Sequence, residues 1–275
     1  MRDALKIMIG RIAEVAIPGL GREIDEARET TRAPRLKRAI VYARLRRAHA
    51  LGDASRMDEA LAAYWRAGPG DKFYVDYADD HFRVFQEQHA VVIDVLSGIL
   101  ERSGLTFSRL VEIGCGDGQV LVEAVKRLPS ISQAIGIDLN AAVIARVSAA
   151  HQHRDGISFV NAEARAWLSA HPQPGTVVFS NGGVLEYFSP ENLDRLLQAV
   201  ALSPPAAVVL VEPAAPHHDL ENQPESLVFG QEYSFSHNYR SRLTQAGFDV
   251  VFEQETRAFG ARLMMVIGIL RSTDK

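Results

Sequence analysis

The stretch Val111-Glu-Ile-Gly-Cys-Gly-Asp-Gly-Gln119 decides the fold class of this chain. An apolar run leads directly into a turn built on three alternating glycines, Gly114, Gly116 and Gly118. A β-strand is therefore expected to end in a turn that side chains cannot enter. Such a turn, at the carboxyl end of the first strand of an open α/β sheet, usually holds the polar part of a nucleotide-like cofactor.

The spacing of the turn narrows the choice of cofactor. A dinucleotide fingerprint needs Gly-x-Gly-x-x-Gly, and Gln119 stands where its third glycine would be. Glu112 places a carboxylate two residues before the first glycine, and a carboxylate suits a cationic ligand better than a pyrophosphate. A nicotinamide-dependent reductase is disfavoured for this reason and because no Tyr-x-x-x-Lys pair is present.

Composition indicates a globular protein with one α/β domain and an extension. The chain has 275 residues, of which 47% are hydrophobic, and a net charge of −4. Its single cysteine, Cys115, cannot form a disulfide within the chain, so we expect a cytoplasmic location. Cys115 could be a nucleophile, but small residues commonly fill such turns for steric reasons. Lys6, Arg11 and Glu14 interrupt the apolar start, so no signal peptide, membrane span or membrane partner is predicted.

The first 87 residues are predicted to be a helical extension with an aromatic lid. Helices are expected over 4–17, ended by Pro18-Gly19, over 34–51, and over 56–65, with Ser55 and Asp58 as a capping pair. Basic residues recur around the second of these helices, and a solvated helix face explains them better than a nucleic-acid site.

Aromatic residues follow the extension at near-helical spacing: Tyr74, Tyr77, His81 and Phe85. Two interpretations remain open for this segment. It packs on the core, or it forms a lid that closes over a bound ligand after a glycine-rich hinge at 68–70. The apolar face of 90–100 predicts a helix leading into the next domain.

From about residue 108 the chain alternates short apolar runs with helices, which indicates a doubly wound, mostly parallel sheet. Five strands are predicted first, at 110–113, 134–137, 157–160, 176–179 and 206–211, with helices at 119–127, 141–150 and 190–201 between them. A long insert to His237, a helix to Ala246 and a hairpin of 250–255 and 263–270 complete the domain.

Two strand tips carry candidate ligand contacts. The second strand ends in Asp138-Leu139, and a carboxylate at this position can accept both hydroxyls of a ribose. The fourth strand runs into a polar turn from Ser180 to Tyr187. Because the ends of strands one and four lie near the point where the strand order reverses, this turn is expected to belong to the site.

Taken together, the glycine turn, Asp138, Glu163 and the fourth-strand turn resemble the class I S-adenosylmethionine (SAM) methyltransferases, from about residue 88 to the end. The resemblance implies a seven-stranded sheet in the order 3-2-1-4-5-7-6 and a domain over 88–275 that binds SAM. Within it, the glycine turn passes under the methionine moiety and Glu163 lies near the adenine. The lid, with Tyr74 over the cofactor, and Ser180 complete the expected cofactor contacts.

The resemblance also implies methyl transfer to an O, N or C atom of a small molecule, in specialised metabolism. The fourth-strand turn lacks the Asn/Asp-Pro-Pro-Tyr/Phe signature, which argues against methylation of nucleic-acid bases. A non-catalytic SAM-binding scaffold, with the helical extension as its interaction surface, is the alternative. A homodimer through the N-terminal helices is a further expectation.

For the acceptor side, His237 is the predicted proton acceptor, because the pKa of a histidine lies near working pH. Four residues are expected to line the same pocket: Tyr77, Glu186, Tyr187 and Tyr239. Two alternatives stay open. His237 and Asn238 could cap the following helix, or His217, His218 and Asp219 could join His237 in a metal site. Adjacent histidines on an extended segment point to opposite sides, so no metal is predicted.

Overall fold

The computed structural model describes residues 2–25, 34–66, 78–230, 233–258 and 260–272. The N-terminal part consists of four helices, α1 (Arg2–Ala16), α2 (Pro18–Asp25), α3 (Pro34–Ala50) and α4 (Ala54–Arg66). They pack around a core that includes Leu20, Ile40 and Met57, and Phe235 of a later strand joins this cluster. The predicted helical extension is confirmed, and it packs directly on the rest of the protein.

Helix α1 ends at Ala16, just before Pro18-Gly19, as predicted, and Pro18 is the first residue of a further helix, α2, where a missing N–H costs nothing. The predicted capping pair of Ser55 and Asp58 is wrong. Helix α4 begins at Ala54, and Asp53 Oδ1 accepts a hydrogen bond from the Arg56 backbone N–H at 3.1 Å. Asp53 is therefore the capping residue, and Asp58 is free to make the long-range contacts described below.

The main sheet has seven strands, and a separate two-stranded sheet lies in the insert. In chain order the strands are β1 (Arg109–Ile113), β2 (Gln133–Asp138), β3 (Ile157–Asn161), β4 (Thr176–Asn181), β5 (Ala206–Ala214), β6 (Leu227–Phe229), β7 (Ser234–Ser236), β8 (Asp249–Ala258) and β9 (Ala261–Leu270). The order in the main sheet is β3-β2-β1-β4-β5-β9-β8, with β9 antiparallel to both β5 and β8. Counted without β6 and β7, this is the predicted 3-2-1-4-5-7-6 order.

Helices cover both faces of this sheet. They are α5 (Val91–Ser103), α6 (Gln119–Arg127), α7 (Ala141–Ala150), α8 (Ala164–Ala170), α9 (Pro190–Ala201) and α10 (Tyr239–Gln245). One apolar cluster joins α8, α9 and α10 to residues such as Val111, and the other joins α5 and α6 to residues such as Leu110. Neighbouring residues of β1 thus face opposite layers, as expected for a strand buried on both sides.

The segment before α5 is helical over 78–84 and continues into a π-helical turn, Phe85–His89. The predicted boundary between residues 87 and 88 falls inside this turn, and it stays a prediction. Tyr74 and Tyr77, the predicted lid residues, lie outside the described residues. Because β1 to β5 are parallel, the turns that follow them meet at one edge of the sheet, where the site is found.

Candidate functional site

The turn after β1 needs its glycines. Gly114, Gly116 and Gly118 all have positive φ angles, of 70°, 51° and 75°. A β-carbon at Gly114 would lie 2.5 Å from the Val184 side chain, and one at Gly118 would lie 2.7 Å from the Phe159 ring. Cys115, between them, is buried, and burial raises the pKa of its thiol well above the ordinary value. A steric role therefore explains Cys115 better than a nucleophilic one.

Glu112, just before the turn, is a buried acid at the cavity wall. Its side chain is 3% exposed, and Oε2 has no hydrogen-bond partner among the described residues. Burial, followed by the charges of Asp117 and Asp138, raises its pKa well above the ordinary value. A buried carboxyl oxygen without a hydrogen-bond partner costs free energy unless a ligand binds to it. A cationic ligand would do so best.

Asp138, at the tip of β2, connects two turns. Its Oδ2 accepts a hydrogen bond from the Gly116 N–H at 3.3 Å, and its Oδ1 accepts one from the Asn140 N–H at 2.9 Å. Asn140 in turn caps α7 by accepting from the N–H groups of Ala142 and Val143. Since each carboxylate oxygen has a second lone pair, Asp138 can hold the glycine turn and also accept ligand hydroxyls.

Glu163, at the end of β3, has a structural role in addition to its place at the cavity. Its two oxygens accept hydrogen bonds from the backbone N–H groups of Arg165 and Ala166, so it caps α8. Because the carboxylate is used for capping, the backbone around Ala162 and Glu163 is the part best suited to contact a ligand.

The turn after β4 is fixed by a residue that was not assigned to the site from sequence, Glu212 at the end of β5. Ser180 Oγ donates to Glu212 Oε1 at 2.5 Å, and the Val184 and Leu185 N–H groups donate to Oε2 at 3.0 and 3.1 Å. Glu212 is fully buried, and burial raises its pKa to about 8. An acid at the end of an apolar strand is the signal that could have identified it.

These turns surround a cavity of about 500 Å³ at the carboxyl ends of β1 to β4. The predicted site residues that line it are Glu112, Gly114, Gly116, Asp138, Leu139, Glu163, Glu186 and Tyr187. Gly118 and Ser180 support the turns from behind. Asp58 and Trp65 of α4, which were not predicted for the site, also line it, together with His81 and Phe82 of the aromatic segment and Asn181 of the fourth-strand turn. The structure thus joins the helical extension to the cavity.

His237 and Tyr239 do not line the cavity. His237 is fully buried, its Nδ1 lies 2.7 Å from Ser226 Oγ, and its Nε2 lies 3.1 Å from the Phe188 carbonyl oxygen. Burial, assisted by the charge of Arg242, lowers its pKa to about 3. With both ring nitrogens engaged inside the protein, the geometry disfavours the proton-accepting role expected for His237.

The structure also bears on the two alternatives for this region, a helix cap and a metal site. Asn238 caps α10, because its Oδ1 accepts from the Ser241 N–H at 3.0 Å. His218 Nδ1 lies 2.8 Å from Ser236 Oγ. Within the described part of the chain, no group of three histidine, cysteine or acidic residues could hold a metal ion. None of the helices in that part is long and apolar enough to cross a bilayer.

Comparison with known proteins gives a family match over part of the chain and several similar folds. Residues 110–202 match the family model described as a methyltransferase domain. Among similar solved structures is magnesium protoporphyrin IX methyltransferase (ChlM) from Synechocystis PCC 6803 with bound SAM. It shares 15% identity at a TM-score of 0.55, over 78% of this chain and 97% of that one. No curated protein sequence matches the chain significantly.

Two further structures show the same fold at low identity. One is a SAM-dependent methyltransferase from Clostridium acetobutylicum, with 9% identity and a TM-score of 0.52, over 74% of this chain and 100% of that one. The other is DesVI from Streptomyces venezuelae, with 15% identity and a TM-score of 0.50, over 71% of this chain and 97% of that one. The matched residues run from β1 to α9 and carry every turn of the cavity edge, so residues 110–202 match a methyltransferase domain and have the fold of these solved methyltransferases.

Proposed function

We propose that this protein transfers a methyl group from SAM to an O, N or C atom of a small molecule, in specialised metabolism in the cytoplasm. The observation that carries the proposal is the extent of the cavity: it continues past the predicted cofactor residues to Glu186, Tyr187 and α4. ChlM is named for magnesium protoporphyrin IX, a small molecule, which supports an acceptor of this class.

The cofactor half of the cavity fits SAM. Glu112 and the backbone from Gly114 to Gly116 would hold the methionine part, and Asp138 would hold the ribose hydroxyls. The backbone at Ala162 and Glu163 would lie against the adenine. When bound, SAM supplies a methyl carbon already activated by its positive sulfur. The protein's own contribution is to bind the two reactants, align them and exclude water.

The helical extension forms the opposite wall. Asp58 of α4 accepts hydrogen bonds from the Ser189 N–H and, at 2.5 Å, from Asn192 Nδ2. The ring centroids of Trp65 and Tyr187 lie 5.1 Å apart. These contacts fix α4 to the fourth-strand turn, and we propose that α4 is part of the acceptor pocket.

A homodimer through the outer face of α1, where Met8, Ile12 and Val15 are exposed, stays a prediction.

Transfer of labelled methyl groups tests this function. The protein is incubated with methyl-labelled SAM and a metabolite extract, and labelled products are identified by mass spectrometry. We expect a labelled small molecule whose formation is lost in Asp138→Asn. If calorimetry shows SAM binding but no extract component acquires label, the non-catalytic SAM-binding alternative is correct.

A further inference from the structure

The cavity that holds the cofactor is strongly acidic. Seven carboxylate side chains line it: Asp58, Glu59, Glu112, Asp117, Asp138, Glu163 and Glu186. Two arginines, Arg66 and Arg165, line it as well, and Arg165 lies 3.7 Å from Glu163. SAM brings one net positive charge, so the cavity keeps an excess of negative charge when the cofactor is bound. Such a field concentrates cations and repels anions.

The carboxylates fall into two groups. On the cofactor side, Glu112, Asp117, Asp138 and Glu163 lie at or just after the ends of β1, β2 and β3. The other three belong to α4 and the fourth-strand turn, on the acceptor side. The buried Oε2 of Glu112 has no hydrogen-bond partner among the described residues, and it can take the ammonium group of the cofactor's methionine part. The acceptor-side acids are therefore not needed for the cofactor.

Two aromatic rings line the same cavity as the acceptor-side acids. The Trp65 and Tyr187 rings are tilted by 54° with centroids 5.1 Å apart, so they form a corner at the cavity wall. Glu186 precedes Tyr187 in the chain and lines the same wall. Aromatic faces attract cations through their quadrupole, most strongly where water is excluded. Rings next to a carboxylate form a recognisable environment for an alkylammonium group.

Resting on the proposed function, we infer that the methyl acceptor is an amine, which binds as a cation between the Trp65–Tyr187 corner and Glu186. Glu186 adjoins Tyr187 in the fourth-strand turn and lines the same wall of the cavity, so it is the assigned carboxylate contact. A neutral hydroxyl would gain little from this wall, and an anionic acceptor would be repelled by it.

The chemistry balances without a further reactant. The bound ammonium first releases one proton to solvent, which leaves a lone pair on nitrogen. That pair forms the new N–C bond, while the S–C bond of the sulfonium breaks and its electrons stay on sulfur. The products are S-adenosylhomocysteine, which has lost the sulfonium charge, and an N-methylated ammonium, which can release its proton to solvent.

A pair of matched probes tests the cation site. Choline and its neutral isostere 3,3-dimethylbutan-1-ol are titrated into the complex with S-adenosylhomocysteine, by calorimetry. We expect choline to bind at least tenfold more tightly than the isostere. Glu186→Gln and Trp65→Leu should each reduce this preference about tenfold, whereas Glu101→Gln, an exposed acid on α5, should keep it. Thermal melting confirms that each variant is folded.

Equal affinity for the two probes would overturn the inference, and so would a preference that survives in both Glu186→Gln and Trp65→Leu. A second measurement uses methyl-labelled SAM and an extract separated on a cation exchanger. Label in the retained fraction supports an amine acceptor. Label confined to the unretained fraction overturns the amine and leaves the proposed function standing. If SAM binds and neither fraction is labelled, the proposed function fails, and the choline comparison decides the cation site alone.

Discussion

The two halves of the cavity are built in different ways. The cofactor half comes from successive turns at the ends of β1, β2 and β3. Neighbouring turns are joined by bonds such as the one from Gly116 to Asp138, which spans 22 residues. The acceptor half joins segments far apart in the chain, as in the bond from Ser189 to Asp58, which spans 131 residues. Local backbone geometry thus builds the proposed cofactor side of the cavity, and long-range packing determines what faces it.

The strongest test of the cofactor half is Gly116→Ala. Gly116 has a φ angle of 51° and lines the cavity, so an added methyl group both strains the backbone and occupies the turn. We expect SAM affinity to fall about a thousandfold or more, which is about 4 kcal/mol. Calorimetric titration with SAM measures it.

Gly104→Ala is the matched control for that prediction. Gly104 has a φ angle of 68°, and nothing lies within 4 Å of the added carbon, so the variant carries similar strain outside the site. It should lose stability by about 1 kcal/mol and bind SAM normally. If both variants bind SAM with wild-type affinity, the turn does not hold the cofactor.

The next largest effect is expected for Asp138→Asn. The change keeps the side-chain volume but removes the charge that both backbone donors and ligand hydroxyls use. We expect a loss of about 2 to 4 kcal/mol in SAM binding, or about thirtyfold or more. Asp249→Asn, at an exposed aspartate on β8, serves as the control. Affinity within about threefold of wild type would show that Asp138 does not hold the ribose.

Sequence patterns predicted the sheet, and they brought the proposed cofactor residues to one edge of the cavity, because both depend on local features. Apolar runs of strand length indicate where the strands lie. Backbone sterics explain the glycines, because the turn needs positive φ angles that other residues rarely adopt. Asp138 could be placed because its position relative to the glycine turn is set by one crossover helix. For these elements the fold adds few contacts that the sequence does not already indicate.

The acceptor half could not be predicted in the same way. The sequence predicts Asp58 as a helix-capping residue, since its long-range partner Ser189 leaves no local pattern. It also predicts His237 in the pocket, from its position between β5 and the next helix. The two-stranded sheet of β6 and β7 buries it instead, because a short hairpin inside an insert has no strong periodic signal.

His237→Gln tests whether His237 stabilises the fold or acts as a base. The imidazole bridges Ser226 and the Phe188 carbonyl inside the protein, so its replacement leaves a buried group without its partner. We expect the free energy of unfolding to fall by about 2 to 3 kcal/mol, with SAM affinity and kcat within about threefold of wild type. Thermal melting and turnover are measured beside His153→Gln, an exposed control. A hundredfold loss of turnover at an unchanged Tm would restore the role of base.

The smallest expected effect concerns Glu212, which links the end of β5 to the fourth-strand turn. Its pKa in the folded protein is about 8, against an ordinary value of 4.5. Below pH 4.5 the carboxyl is protonated in both the folded and unfolded states, and its stabilising contribution is complete. As the pH rises from about 4.5 to 8, the unfolded chain releases the proton while the folded chain keeps it, so stability falls.

Glu212→Gln should remove this pH dependence. The amide nitrogen can donate to Ser180 Oγ, and the amide oxygen can accept from Val184 and Leu185, as the protonated acid does. Between pH 5 and pH 6.5 we expect the variant to gain about 2 kcal/mol relative to wild type, or about 4 to 8 °C in Tm. Glu221→Gln, at an exposed site, should follow the wild-type curve. Parallel Tm curves for Glu212→Gln and wild type would mean that Glu212 is ionised in the fold, held by its three donors, and that the fourth-strand turn is fixed by charge.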